Sequence, residues 1–298
     1  MNRQVLLKTL VAGSLLLGLV LWVHLEYGWS DTLAKWSAVS QPILLLGIVF
    51  TLSSHFLRAL RVHFGYQQQL PIPFAPVLGV SLVHNTLSFL LPMRLGELAL
   101  PILSKKQLAI DLRYSTATLL LLRLFDLHVI TSLLMMFAGK LWLSPSGLLI
   151  ISITLLTSLP LAVMAIQFCA KRHPKLQFIA PLVERTRVCA TLYLLTALIW
   201  GIKLFSFALL ASLLGGLAID HAWLATIIAD ASALSPITGF ANAGTFEAAF
   251  ALPLIPLGYD AGQLIQVAVN LHIFIFVVNM LAGISGLLFL RKKSPTKQ

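Results

Sequence analysis

Long stretches without a charged side chain are the feature that most constrains the fold of this chain. The longest runs from Ala261 to Leu290 and contains no Lys, Arg, Asp or Glu. A helix of about 20 apolar residues crosses the hydrocarbon core of a bilayer. The whole chain is 58% hydrophobic and only 10% charged, whereas soluble domains carry roughly 25% charged residues. The sequence therefore predicts an all-α, polytopic membrane protein and excludes a soluble globular domain.

Apolar stretches of this kind recur along the chain and predict about six full spans. Their limits are about residues 5–25, 42–64, 115–138, 147–169, 189–214 and 262–290. Two further apolar segments, at about 73–110 and 222–257, are interrupted by Gly, Pro and charged residues. Such interruptions predict broken or re-entrant helical segments. We expect a single integral membrane domain, 1–298, folded as a helix bundle.

The basic residues predict the orientation of the spans, because cytoplasmic loops of membrane proteins collect Lys and Arg. With a cytoplasmic N-terminus, Lys35 and Lys140 face outward. Sixteen basic residues then face inward, namely Arg3, Lys8, Arg58, Arg61 and those within 105–113, 171–187 and 291–297. We expect both termini on the cytoplasmic side of the cell (cytoplasmic or inner) membrane. The net charge of +11 is thereby explained without a nucleic-acid partner.

The sequence lacks the familiar motifs of soluble catalysis. It contains no HExxH, no Cys/His cluster with zinc spacing, no GxxxxGK[ST] phosphate loop and no GxSxG elbow. The two cysteines, Cys169 and Cys189, flank a loop on the expected cytoplasmic side, where thiols stay reduced. We therefore expect no metal, no cofactor and no catalytic residue.

The order of the spans repeats within the chain, over about 1–140 and 147–290. Each half reads span, span, broken segment, span, and the halves begin on opposite sides, which predicts an inverted repeat as in many secondary transporters. Each break holds Pro, Gly and a carboxylate, in Pro92–Glu97 and Pro236–Glu247. The breaks are either kinks in ordinary spans or the lining of a wet cavity. Their matched positions favour a site.

Three short motifs carry a resemblance to a known family. They are LPMRLGE at 91–97, LRLFD at 122–126, and SPIT at 235–238 followed by Gly244 and Glu247. In this order and spacing they resemble the flippase-like family, which includes the transmembrane region of lysylphosphatidylglycerol synthases and small stand-alone proteins. The resemblance implies lipid translocation without lipid synthesis. The chain departs from the family at 98–101, where a further Arg is usual, and its third motif holds fewer glycines.

Charged side chains inside the spans are candidate substrate-binding residues, since a charge at the bilayer centre costs about 2.5–3.5 kcal/mol. Arg123 and Asp126 lie three apart on one helix face, where they form a local ion pair or shape a cavity wall. Lys203 lies too deep to reach the surface, so it must meet an anionic ligand or a carboxylate. The carboxylates in question are Asp126, Asp230 and Glu247. Together with the residues of the breaks, the full set is Arg94, Glu97, Arg123, Asp126, Lys203, Asn242, Gly244 and Glu247.

Uncharged polar residues in the spans have a simpler expected role. The histidines His84, His128 and His272 are expected to be hydrogen-bonded within the bundle rather than to relay protons. Asn85, Asn242, Asn270 and Asn279 are expected to bond between helices.

Three functions fit these features, and we favour the first. A lipid translocator would hold an anionic or phosphate-bearing head group with Arg94 and Lys203. Glu97 and Glu247 would orient these cations, bind the rest of the head group or carry a coupling proton. The second function is a non-catalytic membrane subunit supporting a lipid- or glycan-modifying enzyme, and the third is a membrane-embedded lipid-modifying enzyme. The lipid stays open between an aminoacylated phospholipid, a polyprenyl phosphate, a glycolipid and a hopanoid-like lipid.

Overall fold

The computed structural model describes residues 3–234 and 239–291, and the regular structure in these ranges is entirely helical. Twelve α-helices occur there: α1 (Arg3–Glu26), α2 (Trp29–Ala34), α3 (Gln41–Tyr66), α4 (Phe74–Leu90), α5 (Ala99–Leu108), α6 (Leu112–Trp142), α7 (Pro145–Arg172), α8 (Ala180–Val183), α9 (Thr186–Gly215), α10 (Ile219–Ala231), α11 (Thr245–Ala251) and α12 (Ala261–Arg291). The all-α prediction is confirmed.

Six stretches of the described chain are long and apolar enough to cross a bilayer. They are Gln41–Tyr66, Leu112–Gly139, Pro145–Arg172, Thr186–Gly215, Phe240–Leu257 and Ala261–Leu290. Shorter apolar stretches lie in α1 and α4, at Gly13–Glu26 and Phe74–Leu90. The predicted polytopic membrane bundle is confirmed, and α3, α6, α7, α9 and α12 each contain one of the predicted spans.

Both broken segments are interrupted where the sequence predicts. In the first, α4 ends at Leu90 and a 3-10 helix, Pro92–Leu98, leads into α5. In the second, α10 is followed by 3-10 turns at Ser232–Leu234 and Phe240–Asn242 before α11 begins. Proline has no amide hydrogen to donate, so Pro92 favours the end of the regular helix at this point. The re-entrant path of these segments and the inverted repeat stay predictions.

Polar side chains define where the long helices begin. Asp111 Oδ1 accepts the amide hydrogens of Arg113 and Tyr114, at 2.8 and 3.1 Å, and so starts α6. Ser144 Oγ accepts the amide hydrogen of Gly147 at 3.2 Å and starts α7. These caps satisfy amide groups that the first turn of a helix leaves without a backbone partner.

The helices form two compact units, each assembled from stretches that are distant in sequence. Unit 1 comprises Met1–Leu52, Thr86–Glu97 and Ile202–Leu281, and unit 2 comprises Ser53–Asn85, Leu98–Gly201 and Ala282–Gln298.

Unit 1 contains hydrogen bonds between helices that lie far apart in the chain. Asn270 Nδ2 donates to the carbonyl of Thr32 at 2.7 Å, and Thr86 Oγ1 donates to the carbonyl of Asn279 at 2.9 Å. The expectation of interhelical bonds is therefore confirmed for the Asn270 side chain. The Asn279 side chain instead donates to the carbonyl of Ile275 in its own helix.

Unit 2 has a continuous apolar core that encloses a group of hydroxyls. Tyr66 is fully buried, and its hydroxyl lies 2.8 Å from Ser104 Oγ and 2.5 Å from Ser115 Oγ. The hydroxyl of Tyr114, also fully buried, donates to the carbonyl of Gly65 at 2.9 Å. These bonds satisfy the polar atoms of residues whose rings fill the core.

His128 joins three helices of unit 2 and has both ring nitrogens bonded. Nε2 donates to the carbonyl of Leu155 in α7 at 2.8 Å, because a carbonyl can only accept. In the neutral ring, Nδ1 then accepts from the hydroxyl of Tyr193 in α9 at 3.0 Å. The prediction of a satisfied bundle histidine is confirmed at this position.

α7 buries little of its surface. None of its most apolar 18-residue window is buried, against 50% of the corresponding window of α9. Side chains such as Leu156 and Phe168 are 77% and 62% exposed. Such a surface would be unstable in water, whereas lipid chains cover it at no cost. α7 therefore has the surface of a lipid-facing helix over most of its length.

Candidate functional site

Asp126, in the middle of α6, is the centre of a charged cluster in unit 2. Its side chain is only 5% exposed. Oδ1 accepts hydrogen bonds from Arg61 Nη1 at 2.7 Å and from Trp200 Nε1 at 2.9 Å. Oδ2 accepts from Arg123 Nη1 at 2.8 Å. The predicted local pair of Arg123 and Asp126 is confirmed, but the carboxylate is shared with two further donors.

Arg61 is buried in this cluster, although the orientation prediction counts it among the residues that face the cytoplasm. Its side chain is 4% exposed, and Nη1 also donates to Thr196 Oγ1 at 2.7 Å. A buried carboxylate on a different helix compensates its charge, so its position in the bundle is explained without reference to either side of the membrane. The orientation of the spans stays a prediction.

Arg58 lies one turn before Arg61 on α3 and extends the cluster. Its guanidinium carbon lies 5.3 Å from the centre of the Trp200 ring, within the range of a cation–π interaction. The same guanidinium interacts electrostatically with Asp126, as do those of Arg61 and Arg123. Three arginines thus act on one carboxylate.

The arginines of the cluster differ in how far a ligand can reach them. The side chain of Arg61 is 4% exposed, and that of Arg123 is 26% exposed. Arg61 therefore serves the fold by holding Asp126 and Thr196. Arg123 holds the other carboxylate oxygen, and its side chain is more exposed than that of Arg61.

Lys203, the deepest cation of the sequence analysis, forms an ion pair in unit 1. Its Nζ lies 2.7 and 2.8 Å from the two carboxylate oxygens of Asp230, which is one of the three expected carboxylates. Both side chains are 16% exposed, and Nζ also lies 5.4 Å from the centre of the Phe207 ring. The pair joins α9 to α10, the helix that leads into the second break.

Glu247 and His272 form a second polar group in unit 1. Glu247, on α11, is 2% exposed, and its Oε1 lies 2.6 Å from His272 Nδ1 on α12. Its Oε2 accepts the amide hydrogen of Gly244 at 2.7 Å. The other ring nitrogen of His272, Nε2, donates to the carbonyl of Ala241 at 2.7 Å. His272 is thus hydrogen-bonded within the bundle, as expected, and one of its partners is a candidate residue.

The turn held by this pair has unusual backbone angles. Ala241 and Asn242 have φ values of 52° and 66°, and Gly244 has a φ of 82°. This left-handed region suits glycine, but it costs free energy for residues with a Cβ atom. Asn242 Nδ2 donates to Ser232 Oγ at 2.8 Å across the break, whereas its buried Oδ1 has no hydrogen-bond partner among the described residues.

The first break brings the backbone unusually close to itself in unit 1. A Cβ atom placed on Gly96 would overlap the carbonyl of Leu87 and the amide nitrogen of Ser88 at the end of α4. Only glycine fits this position without movement of the backbone. Glu97, next in the chain, is half-buried. The side chain of Arg94 lies outside the described part of the structure, as do residues 235–238 of the third motif.

The structure brings the sequence candidates together in small groups. Arg123 joins Asp126 in unit 2, and Asn242, Gly244 and Glu247 share one turn in unit 1. Sequence reasoning missed the donors that complete these groups, which are Arg58, Arg61, Thr196, Trp200 and His272. In the sequence, these residues stand out only as polar, charged or indole side chains within an apolar span. That pattern does not identify a partner on another helix. Among the described residues, no group of three or more His, Cys, Asp or Glu could hold a metal ion.

Comparison with known families adds to this geometry. The family model described as the lysylphosphatidylglycerol synthase TM region matches residues 5–283. The match includes both breaks and the Asp126 cluster. A search of curated proteins finds no significant match to the chain. Since the family model covers nearly the whole sequence, the chain belongs to the family of the lysylphosphatidylglycerol synthase transmembrane region.

Proposed function

We propose that this protein translocates a membrane lipid with an anionic or phosphate-bearing head group across the cytoplasmic membrane. Membership of a lipid-associated membrane family supports the proposal. So does the presence of charged clusters within apolar helices, because a charge at the bilayer centre is retained only where it has a partner or a function. We propose no catalytic role for any residue.

The environment of Arg123 is the observation that most strongly supports the proposal. It lies within a spanning helix, holds Asp126 at 2.8 Å and is 26% exposed. A guanidinium has five N–H donors in a planar fork, so one arginine can hold a carboxylate and a phosphate oxygen together. In this proposal Asp126 keeps the guanidinium oriented for the phosphate. A lysine has no comparable planar geometry.

The cluster around Arg123 supplies the electrostatic environment that such a head group needs. Moving a phosphate through hydrocarbon is costly because the charge loses its hydration. Arg58, Arg61 and Arg123 act on a single carboxylate, so the potential of the group is positive. In this proposal the phosphate exchanges water for arginine at this point, and the acyl chains stay in the bilayer.

The proposed transport cycle is based on the predicted inverted repeat. We propose that the halves 1–140 and 147–290 are inverted in the membrane and that their breaks open alternately to the two sides. Both termini would then lie in the cytoplasm, in agreement with the basic residues of the 171–187 connection. That connection would rest on anionic lipid head groups, without a nucleic-acid partner.

Reconstitution of the full chain in lipid vesicles tests the proposal. The probes are fluorescent phosphatidylglycerol and fluorescent polyprenyl phosphate, and the readout is the fraction of probe that an external quencher reaches over time. Loss of one charge-assisted contact predicts that Arg123→Gln lowers the translocation rate by about 10- to 100-fold. Arg113→Gln, an exposed arginine earlier on the same helix, is the matched control and should stay within about twofold of the unmodified protein.

The other two functions are outcomes of this experiment. If the unmodified chain moves neither probe faster than empty vesicles do, a non-catalytic subunit of a lipid- or glycan-modifying enzyme becomes the better interpretation. Mass spectrometry of the vesicle lipids separates the third function, because an embedded enzyme would change the covalent structure of the probe. Equal translocation by the Arg123 and Arg113 variants would remove Arg123 from the site.

A further inference from the structure

The hydrogen bonds of the Glu247–His272 pair determine how many protons the two side chains carry together. The carbonyl of Ala241 only accepts, so His272 Nε2, 2.7 Å away, must carry a hydrogen. A contact of 2.6 Å between Nδ1 and Glu247 Oε1 requires one hydrogen between these atoms. The pair is therefore either imidazolium with carboxylate or imidazole with carboxylic acid. Both forms have zero net charge, which burial favours.

A change in the proton count breaks this arrangement. One additional proton would lie either on Oε1, where it faces the Nδ1 hydrogen across 2.6 Å, or on Oε2, where it faces the amide hydrogen of Gly244 across 2.7 Å. The removal of the shared proton would leave two lone pairs facing each other and a net negative charge in a buried site. In each case one hydrogen bond of the pair or of the turn is lost, and the buried site gains a net charge. The hydrogen bonds are thus all satisfied only in the proton state with zero net charge.

The pair also holds both ends of the strained turn. His272 binds the carbonyl of Ala241, and Glu247 binds the amide of Gly244 at 2.7 Å. The turn contains residues with positive φ, including Ala241 at 52° and Asn242 at 66°. Strained backbone of this kind persists only where surrounding contacts hold it. Once the pair separates, these contacts no longer oppose relaxation of the turn.

The elements near the Glu247–His272 pair contain other ionisable side chains, and the ones named here are bonded to partners of their own. On α10, Asp230 binds Lys203, and the His221 ring bonds the Tyr259 hydroxyl at 2.9 Å. α1 approaches the turn through the apolar Leu15, 3.7 Å from a Cβ placed on Gly244. The rings of Phe89 and Phe246 lie 5.9 and 4.7 Å from that of His272. The pair thus lies among aromatic groups that keep water away from it.

We propose that Glu247 and His272 form a proton-binding site, and that uptake or release of one proton there opens the 239–244 turn during lipid translocation. The ligand is a proton, and the coupled step is the change in conformation of the second break. The inference rests on the proposed function for its link to transport. The proton site itself rests only on the geometry of the pair and the turn.

Hydrogen–deuterium exchange of the full chain in detergent tests the site without any transport. Peptides covering 239–247 are followed between about pH 5 and pH 8. After correction for the intrinsic pH dependence of amide exchange, we expect these peptides to exchange about tenfold faster at one end of the range. His272→Gln should abolish this pH dependence, and Glu247→Gln is a second variant with the same expectation.

His221→Gln is the matched control, because it removes a histidine of unit 1 that pairs with a tyrosine instead of a carboxylate. It should keep the pH response of the turn. An unchanged pH response in both the His272 and Glu247 variants, or none in the unmodified protein, would overturn the proton site. Vesicle transport under a pH gradient then separates the two proposals. If hydrogen–deuterium exchange at the turn depends on pH but the protein moves no lipid, only the proposed function is rejected. If a pH gradient still drives lipid movement in the His272→Gln variant, only the coupling of the proton site to transport is rejected.

Discussion

Asp126→Asn is the substitution for which the structure predicts the largest loss of stability. The change keeps the shape of the side chain but removes the charge that Arg61 and Arg123 share, at 2.7 and 2.8 Å. Arg61 is 4% exposed and cannot reach water. Removal of one partner from a buried ion pair costs about 3–5 kcal/mol, and an unpaired charge in the bilayer costs about 2.5–3.5 kcal/mol. We therefore expect the free energy of unfolding to fall by about 3 kcal/mol.

Two further variants separate charge pairing from other effects of the substitution. Arg61→Gln should cost about 1–2 kcal/mol, because Asp126 keeps Arg123 and the indole of Trp200 as donors. The double variant of Arg61 and Asp126 should be more stable than Asp126→Asn alone, since the buried cation is gone. The matched control is Asp111→Asn, because Asn is as good an N-cap as Asp.

The assay is unfolding by sodium dodecyl sulfate in mixed micelles, followed by circular dichroism. Equal midpoints for Asp126→Asn and Asp111→Asn would refute the reasoning, because the buried charge would then have no measurable partner. Strict additivity in the double variant would refute the pairing with Arg61 in particular.

Three other predictions follow from features of the fold. Lys203→Gln should lower stability in the same assay by less than Asp126→Asn does, because its ion pair is 16% exposed, and neutralising Asp230 as well should restore part of the loss. Gly96→Ala should lower the yield of monodisperse protein and its melting temperature, since the new methyl group overlaps backbone atoms. The control is Gly201→Ala, which should be neutral or slightly stabilising because Gly201 lies in a helix with open space around it. Reporters fused after α12 and in the α7–α9 connection should report the cytoplasm, and one in the α6–α7 connection the outside; an external C-terminus would contradict the inverted repeat.

The spans could be predicted from the sequence because a bilayer imposes a length and a composition on every crossing helix. The 30 residues of 261–290 needed no further information. The breaks were also visible, since Pro92 and Gly96 interrupt an apolar run and carry a local backbone preference. These signals are local, and a local signal is enough to place a helix or to end it.

The partners of the charged residues could be predicted only where they lie on the same helix. The spacing of Arg123 and Asp126 indicates an i,i+3 pair, and this pair is present. Arg61 lies 65 positions away from Asp126, and no periodicity relates α3 to α6. For Lys203, depth indicated that a carboxylate was needed, but it left three candidates equal. The packing of α9 against α10 selects Asp230 as the partner, and such packing cannot be inferred from a local sequence pattern.

The exposure of α7 has a consequence for how members of this family diverge. A residue that touches only acyl chains is selected for hydrophobicity and little else, so one apolar side chain replaces another there without loss. α9 has half of its apolar window buried, and each of those positions must also match the volume of its neighbours. Across related chains, α7 should therefore vary freely in identity at constant hydropathy, while α9 changes slowly and in concert with α6. A substitution rate measured along the two helices would show which surface of the protein the lipid sees.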